Sequence, residues 1–224
     1  MHEHGTAAAA IEALPKIAQQ AGLESYTACS RQRIHTEFQA GAQAQARLIF
    51  FGNRDYPTAL MTIPNPPPAL WVTGNPQILS RPMVAIVGAR NASSLGTRMA
   101  RYLAKGLGEK GYVTVSGLAR GVDTAAHIGA LETGTVAVMA GGVDVLYPAE
   151  NAKLGDDITD QGARISEQPM GLTPIGRHFP ARNRLISGLC RCVIIVEAAE
   201  KSGSLITTRH ALDQDREVLV VPGH

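Results

Sequence analysis

From residue 83 to residue 221 the chain repeats one pattern: a short apolar run, a glycine- and serine-rich bend, then a stretch of helical periodicity. The apolar runs are 83–88, 112–116, 135–139, 192–196 and 217–221, with a shorter candidate strand at 163–166. Helical patterns fill the gaps at about 94–110, 122–132, 151–161 and 204–214. Runs of four to six apolar residues suit strands buried on both faces, and alternation with helices implies right-handed βαβ units. The expectation is an α/β fold, an extended Rossmann-like, doubly wound, mainly parallel sheet. In such sheets ligands bind beyond the carboxyl ends of the strands, so those ends are where function is sought.

Upstream the pattern is looser. Residues 1–45 are rich in Ala and Gln, and Ile11, Leu14, Ile17 and Ala18 recur at helical spacing around Pro15. They are expected to form a short helical N-terminal fragment, with residues 46–224 as the main domain. Residues 47–51 read as a strand, the proline-rich stretch 64–68 as an extended connector, and 70–72 as a further short strand. Apolar residues make up 45% of the 224 and aromatics only 4%, so the core must be built from Ala, Val, Ile and Leu. The formal charge of +2 neither proposes nor excludes a nucleic-acid partner, so any electrostatic footprint must be local. Three cysteines without zinc-type spacing, no apolar run of membrane-spanning length and no signal-peptide layout point to a cytoplasmic protein with free thiols and no metal.

Four segments near strand ends or helix starts have the ingredients of an anion cradle. The first runs from Gly88 through Arg90 to Ser93 and Ser94, either of which can cap the next helix. The second holds Ser116, Gly117, Arg120, Gly121 and Asp123. The third is read as a loop, with Arg177 and His178 leading into Phe179, Pro180, Arg182, Asn183 and Arg184. The fourth, Ser202-Gly203-Ser204, opens a helix. Helix-start amides attract phosphate, and arginine offers a planar fork. Neither G-x-G-x-x-G nor G-x-x-x-x-G-K-[ST] occurs, so no nucleotide cofactor is expected.

In order and spacing these segments resemble the DNA-processing protein A (DprA/Smf) family. The resemblance extends through 140–148 with Asn151, Ser166-Glu167, Glu197-Ala198, 202–207 and Pro222-Gly223, and covers about residues 47–224. It implies an extended Rossmann fold that binds DNA, single strands preferentially, protects incoming strands in natural transformation, loads the RecA recombinase and forms homodimers. It also implies that Arg90, Ser116, Gly117, Arg182, Arg184, Ser202, Gly203 and Ser204 are the foremost phosphate contacts. Arg120 and Arg177 come next, with Gly88, Gly121 and Asn183 completing the set. Some relatives carry a lysine one position before Arg177, where this chain has Gly176. Family members usually have a fuller helical domain in front and continue past the Pro-Gly pair, often into a winged-helix-like domain. The chain is expected to lack that C-terminal domain.

Other polar residues have plainer readings. Asp123 favours the helix dipole and His127 packs locally, in preference to an acid-base pair. Asp144 and Glu167 bond loop amides, and Glu197 either orients a pocket arginine or is structural. His2, His4 and His178 lack ligand spacing. Arg98, Arg101, Lys105 and Lys110 form the solvated face of one helix, with an auxiliary DNA track as the alternative. Tyr147, His178 and Phe179 are candidates for base stacking. No catalytic residue is expected. The competing reading is an enzyme like the related Rossmann family that cleaves nucleoside monophosphates, whose Pro-Gly-Gly-x-Gly-Thr-x-x-Glu loop supplies a glutamate; the loop here, 202–207, has no acid. A third reading is a nucleotide-binding module.

Overall fold

The computed structural model describes residues 4–23, 25–199 and 202–222; His2 and Gly223, singled out above, lie outside them. The chain divides into two compact units, Met1–Gln39 and Ala40–His224. The first holds α1 (Ala7–Gln20) and most of α2 (Arg31–Gln43). Thr6 caps α1 by accepting from the Ala9 amide at 3.2 Å, and Ser30 does the same for Arg33 at the start of α2. The expected single helical piece is therefore two helices, and α1 runs through Pro15.

The second unit is built on an eight-stranded sheet: β1 (Arg47–Phe50), β2 (Ala69–Gly74), β3 (Met83–Val87), β4 (Val113–Ser116), β5 (Thr135–Val138), β6 (Ala163–Ser166), β7 (Cys192–Ile195) and β8 (Glu217–Val220). Their spatial order is β1-β2-β6-β5-β4-β3-β7-β8. The β1–β2 and β2–β6 pairs are antiparallel and all others parallel. Connecting helices are α3 (Ser94–Glu109), α4 (Val122–Ala130), α5 (Ala152–Gln161), α6 (His178–Leu189) and α7 (Gly203–Asp213).

Side chains alternate across the sheet as the strand period requires. Ala85, Val87, Val113, Val115, Val193 and Ile195 face one core with Leu185, Ile186 and Ala211 of α6 and α7. Val84, Ile86 and Ile194 face the other, with Ala100, Ala104, Ala126 and Ala130 of α3 and α4. Small residues let α3 and α4 pack closely: a side chain at Gly108 would collide with Thr133, and one at Gly129 with the backbone of Arg101. Each large aliphatic side chain so buried contributes about 1.5–3 kcal/mol.

One sequence expectation needs correction. Residues 179–184 are not a loop but the first two turns of α6. Pro180 is the third helical residue, where no intrahelical partner awaits its missing N–H, so it starts the helix rather than breaking it. The chain builds outward from β3 in both directions: β4, β5 and β6 lie to one side, β7 and β8 to the other. The switch point of the sheet therefore lies between β3 and β7.

Candidate nucleic-acid interface

A cleft of about 880 Å³ opens at that switch point. Its walls come from the segment after β3 (Gly88, Arg90, Asn91), the turn after β4 (Ala119, Asp123), the start of α6 (Phe179, Arg182, Asn183) and the loop from β7 into α7 (Glu197, Ser202, Gly203, Ser204). All four segments singled out from the sequence thus reach one cavity. Of their candidates, Gly88, Arg90, Arg182, Asn183, Ser202, Gly203 and Ser204 line it, whereas Ser116, Gly117, Arg120, Gly121, Arg177 and Arg184 do not.

Not every helix start facing this region is open. At α3, the Glu197 carboxylate accepts from the Ser93 amide at 3.0 Å and the Ser93 hydroxyl at 2.9 Å, while Ser93 Oγ caps the Gly96 amide at 3.0 Å. An acidic side chain already sits where a phosphate was expected, and Glu197 holds a helix start rather than an arginine. In the turn before α4, buried Asp123 accepts from the Gly117 amide at 3.1 Å and the Ala119 amide at 3.3 Å, so these loop amides too are already engaged. Burial pushes its carboxyl above the usual range, opposed by the Arg182 cation and these hydrogen bonds. The start of α7 is set apart by position: its N-cap residue, Ser202, lines the cleft, whereas those of α4 and α6, which likewise have no side-chain cap among the described residues, do not. Among the described residues no side chain caps it, and the Ser202 and Ser204 hydroxyls lie 2.5 Å apart at its mouth. Asn183 steadies this opening by donating to the Gly203 carbonyl at 3.2 Å.

The arginines divide by role. Arg182 is buried, with Nη1 donating to the Gly117 carbonyl at 2.9 Å and to the Val138 carbonyl, and Nε to Asn183 Oδ1 at 3.2 Å. Desolvation lowers its pKa to about 10, with Asp123 resisting and Arg90 adding to the fall. It remains a cation at neutral pH, set under the cleft floor. Arg90 is exposed and lies 5.4 Å from the centre of the Phe179 ring, which itself stands 5.7 Å from Tyr147. Arg184 points elsewhere and pairs with Glu167, so Glu167 serves an arginine rather than a loop amide. Arg120 pairs with Glu150 at the surface. Arg177 is exposed at the start of α6. Ser116 is fully buried and donates to the Ile86 carbonyl at 2.7 Å. Gly121 adopts φ 73° with its Cα against the Ala89 and Arg90 carbonyls, a place that tolerates no side chain.

The remaining polar candidates are structural. His127 is fully buried with Nδ1 2.8 Å from Thr135 Oγ1. Because Thr135 Oγ1 donates to the Thr114 carbonyl at 2.7 Å, it must accept from His127, which places the proton on Nδ1. Burial drives the His127 pKa down to about 3. Asp144 accepts from the Gly171 amide, and His178 Nδ1 from the Ile175 amide. Among the described residues, no group of three or more His, Cys, Asp and Glu could hold a metal ion, and no helix is long and apolar enough to cross a membrane.

Residues 47–224 match the model of the family described as DNA recombination-mediator protein A. The chain belongs to that family. Residues 1–40 match the DprA-like N-terminal HHH domain. The DNA processing protein DprA of Streptococcus pneumoniae is 46% identical over 170 residues, covering 75% of this chain and 60% of its own. Protein Smf of Escherichia coli is 37% identical over 215 residues, covering 92% and 58%. The chain thus spans about 60% of the length of these family members. Among solved structures, DNA processing protein A from Streptococcus pneumoniae superposes with a TM-score of 0.80 at 40% identity, over 88% of this chain and 68% of that one. The Helicobacter pylori protein, described for a unique single-stranded DNA binding mode, gives 0.75 at 33% identity, over 81% and 83%.

Proposed function

We propose that this chain is a DNA-binding recombination mediator that holds single-stranded DNA in the cleft at the β3–β7 switch point. The observation that carries the reading is the meeting of an uncapped α7 start with Arg90 and buried Arg182 in one cavity of about 880 Å³. Phosphates would lie on the amides of Ser202 to Ser204 and on Arg90, with Gly88 giving the backbone room and Arg177 reaching in from the α6 start. Asn183 and Arg182 act from beneath, the first by fixing the α7 loop and the second as a fixed positive charge. Ser116, Gly117 and Gly121 shape the floor. Arg120 and Arg184 join only by leaving Glu150 and Glu167. A base can stack on Phe179, with Tyr147 beside it. The single-stranded DNA description of the Helicobacter pylori relative supports this ligand.

Backbone grip of this kind is read in its salt dependence. Replacing Arg90 and Arg177 together by Ala should make the log–log salt slope for a short oligothymidylate shallower by about 1.4, at about 0.7 for each phosphate that is no longer neutralised. An unchanged slope and affinity would remove the cleft from the binding surface. The reading is of binding and not catalysis, supported by the two cleft carboxylates, Asp123 and Glu197, both being held by amides or hydroxyls. Incubation with AMP tests that: adenine release would turn the assignment to a nucleoside-monophosphate hydrolase. The family's description as a recombination mediator further supports strand protection, RecA loading, homodimerisation and a cytoplasmic site of action as parts of this proposal. Co-purification with RecA and sedimentation of the chain test the two partners.

A further inference from the structure

Helix α3 leaves the cleft rim directly. Gly88, Arg90 and Asn91 line the cleft, and the helix begins at Ser94. Its buried side is a row of small residues four apart, Gly96, Ala100, Ala104 and Gly108. At 3.6 residues per turn the opposite side carries Arg98, Arg101, Tyr102 and Lys105. All four are exposed, and Tyr102, at 75%, is the most exposed large apolar side chain among the described residues.

The charges on this face are unspent. Arg47, Arg120, Lys153, Arg164 and Arg184 each pair with a carboxylate. Among the described residues no ion pair or hydrogen bond engages the side chains of Arg98, Arg101 or Lys105. Of the acids nearby, Asp123 on α4 is buried and bonded to loop amides, and Glu197 is tied to Ser93. Glu132 follows α4, and Glu109 shares the exposed side one turn beyond Lys105, at the end away from the cleft. A solvated helix face explains cations alone. It does not explain an aromatic ring standing among three of them on the helix that continues the cleft wall.

We infer that the outer face of α3 is a second contact surface for the same single strand, on which Arg98, Arg101 and Lys105 hold phosphates and Tyr102 stacks on a base. The inference rests on the cleft reading for the identity of the strand. From Arg98 to Lys105 the helix rises about 10 Å, so the surface is reached only by nucleotides beyond those the cleft holds.

The test compares oligothymidylates of about 5 and about 20 nucleotides, lengths at and beyond common single-strand site sizes, by fluorescence anisotropy at several salt concentrations. With Arg98, Arg101 and Lys105 all replaced by Ala, the long strand should bind at least tenfold more weakly, with a slope shallower by about 2, and the short strand should be unaffected. Tyr102→Ala should weaken the long single strand about fivefold or more, while Tyr102→Phe restores it and a duplex of the same length is indifferent to either. These positions are exposed, so melting curves should match the unmodified protein. Long-strand binding unchanged in both the triple variant and Tyr102→Ala would overturn the inference. A protein that binds the long strand through α3 but shows no short-strand binding would instead refute the cleft. Equal losses on single strand and duplex in Tyr102→Ala would overturn the stacking role.

Discussion

Arg182 and Arg184 stand two apart in sequence and look alike as phosphate ligands, yet the helix they share turns about 200° between them. One faces the cleft floor and the other Glu167. Arg182 lies where it does because Gly117 has no side chain: a Cβ there would come within 2.6 Å of both terminal guanidinium nitrogens. These nitrogens are not free to swing away, since Nη1 is held by the Gly117 and Val138 carbonyls. Gly117→Ala should therefore lose about 1–3 kcal/mol of stability in denaturant titrations, by overpacking, and weaken short-strand binding at the same time. The Arg184–Glu167 pair permits the opposite dissociation. Arg184→Ala leaves the Glu167 carboxylate largely buried and unpaired, and should cost about 2–3 kcal/mol of stability. Changing Glu167 to Gln in that background should recover part of the loss. Short-strand affinity should stay level in both variants. If Arg184→Ala binds DNA more weakly without unfolding sooner, Arg184 belongs to the interface after all.

At the scale of elements, the strands were legible as short continuous apolar runs, the pattern of burial on both faces, and most helices by their 3.6-residue period. Helix α6 was not, because Phe179-Pro180 looks like a chain break unless the helix is known to begin at His178. Nor could the sequence reveal which helix starts were already filled: Glu197 reaches Ser93 across 104 positions. The α4 element also carries a pH dependence in His127. Its folded pKa of about 3 lies below the unfolded value of about 6.5, so the unfolded chain binds the proton more readily in acid. The stabilisation is complete above pH 6.5 and is lost progressively as pH falls from there towards 3. Asp123, raised by burial, acts with the opposite sign: its contribution is complete below the ordinary carboxylate pKa and is lost as pH rises through its folded value. Comparison with His127→Leu isolates the histidine. Between pH 7 and 5 the native protein should lose about 2 kcal/mol more stability than the variant. Parallel pH profiles of the two proteins would show that the imidazole is not buried neutral.

For the molecule as a whole, placement of the cleft at the switch point has a thermodynamic consequence. Its walls come from segments after β3, β4 and β7 and from the start of α6, so a strand lying across it ties together parts of the sheet on both sides of β3. A ligand that binds only this folded arrangement must raise the stability of the unit Ala40–His224, and at 100 times its dissociation constant the gain is about 2.7 kcal/mol. For a unit of this size each kcal/mol moves the midpoint about 2–4 °C, so saturating oligothymidylate should raise the melting temperature by about 5–10 °C. The shift should shrink as salt rises, because phosphate contacts carry the binding. Arg90→Ala should melt like the native protein when alone and show a smaller shift with the strand, since Arg90 is exposed and its removal leaves the core intact. Differential scanning fluorimetry of both proteins, with and without the strand, reads all of these at once. A native protein whose midpoint ignores the strand at concentrations where anisotropy reports binding would mean that the DNA is held outside the unit Ala40–His224 or is bound equally by the unfolded chain, and the cleft would lose its claim.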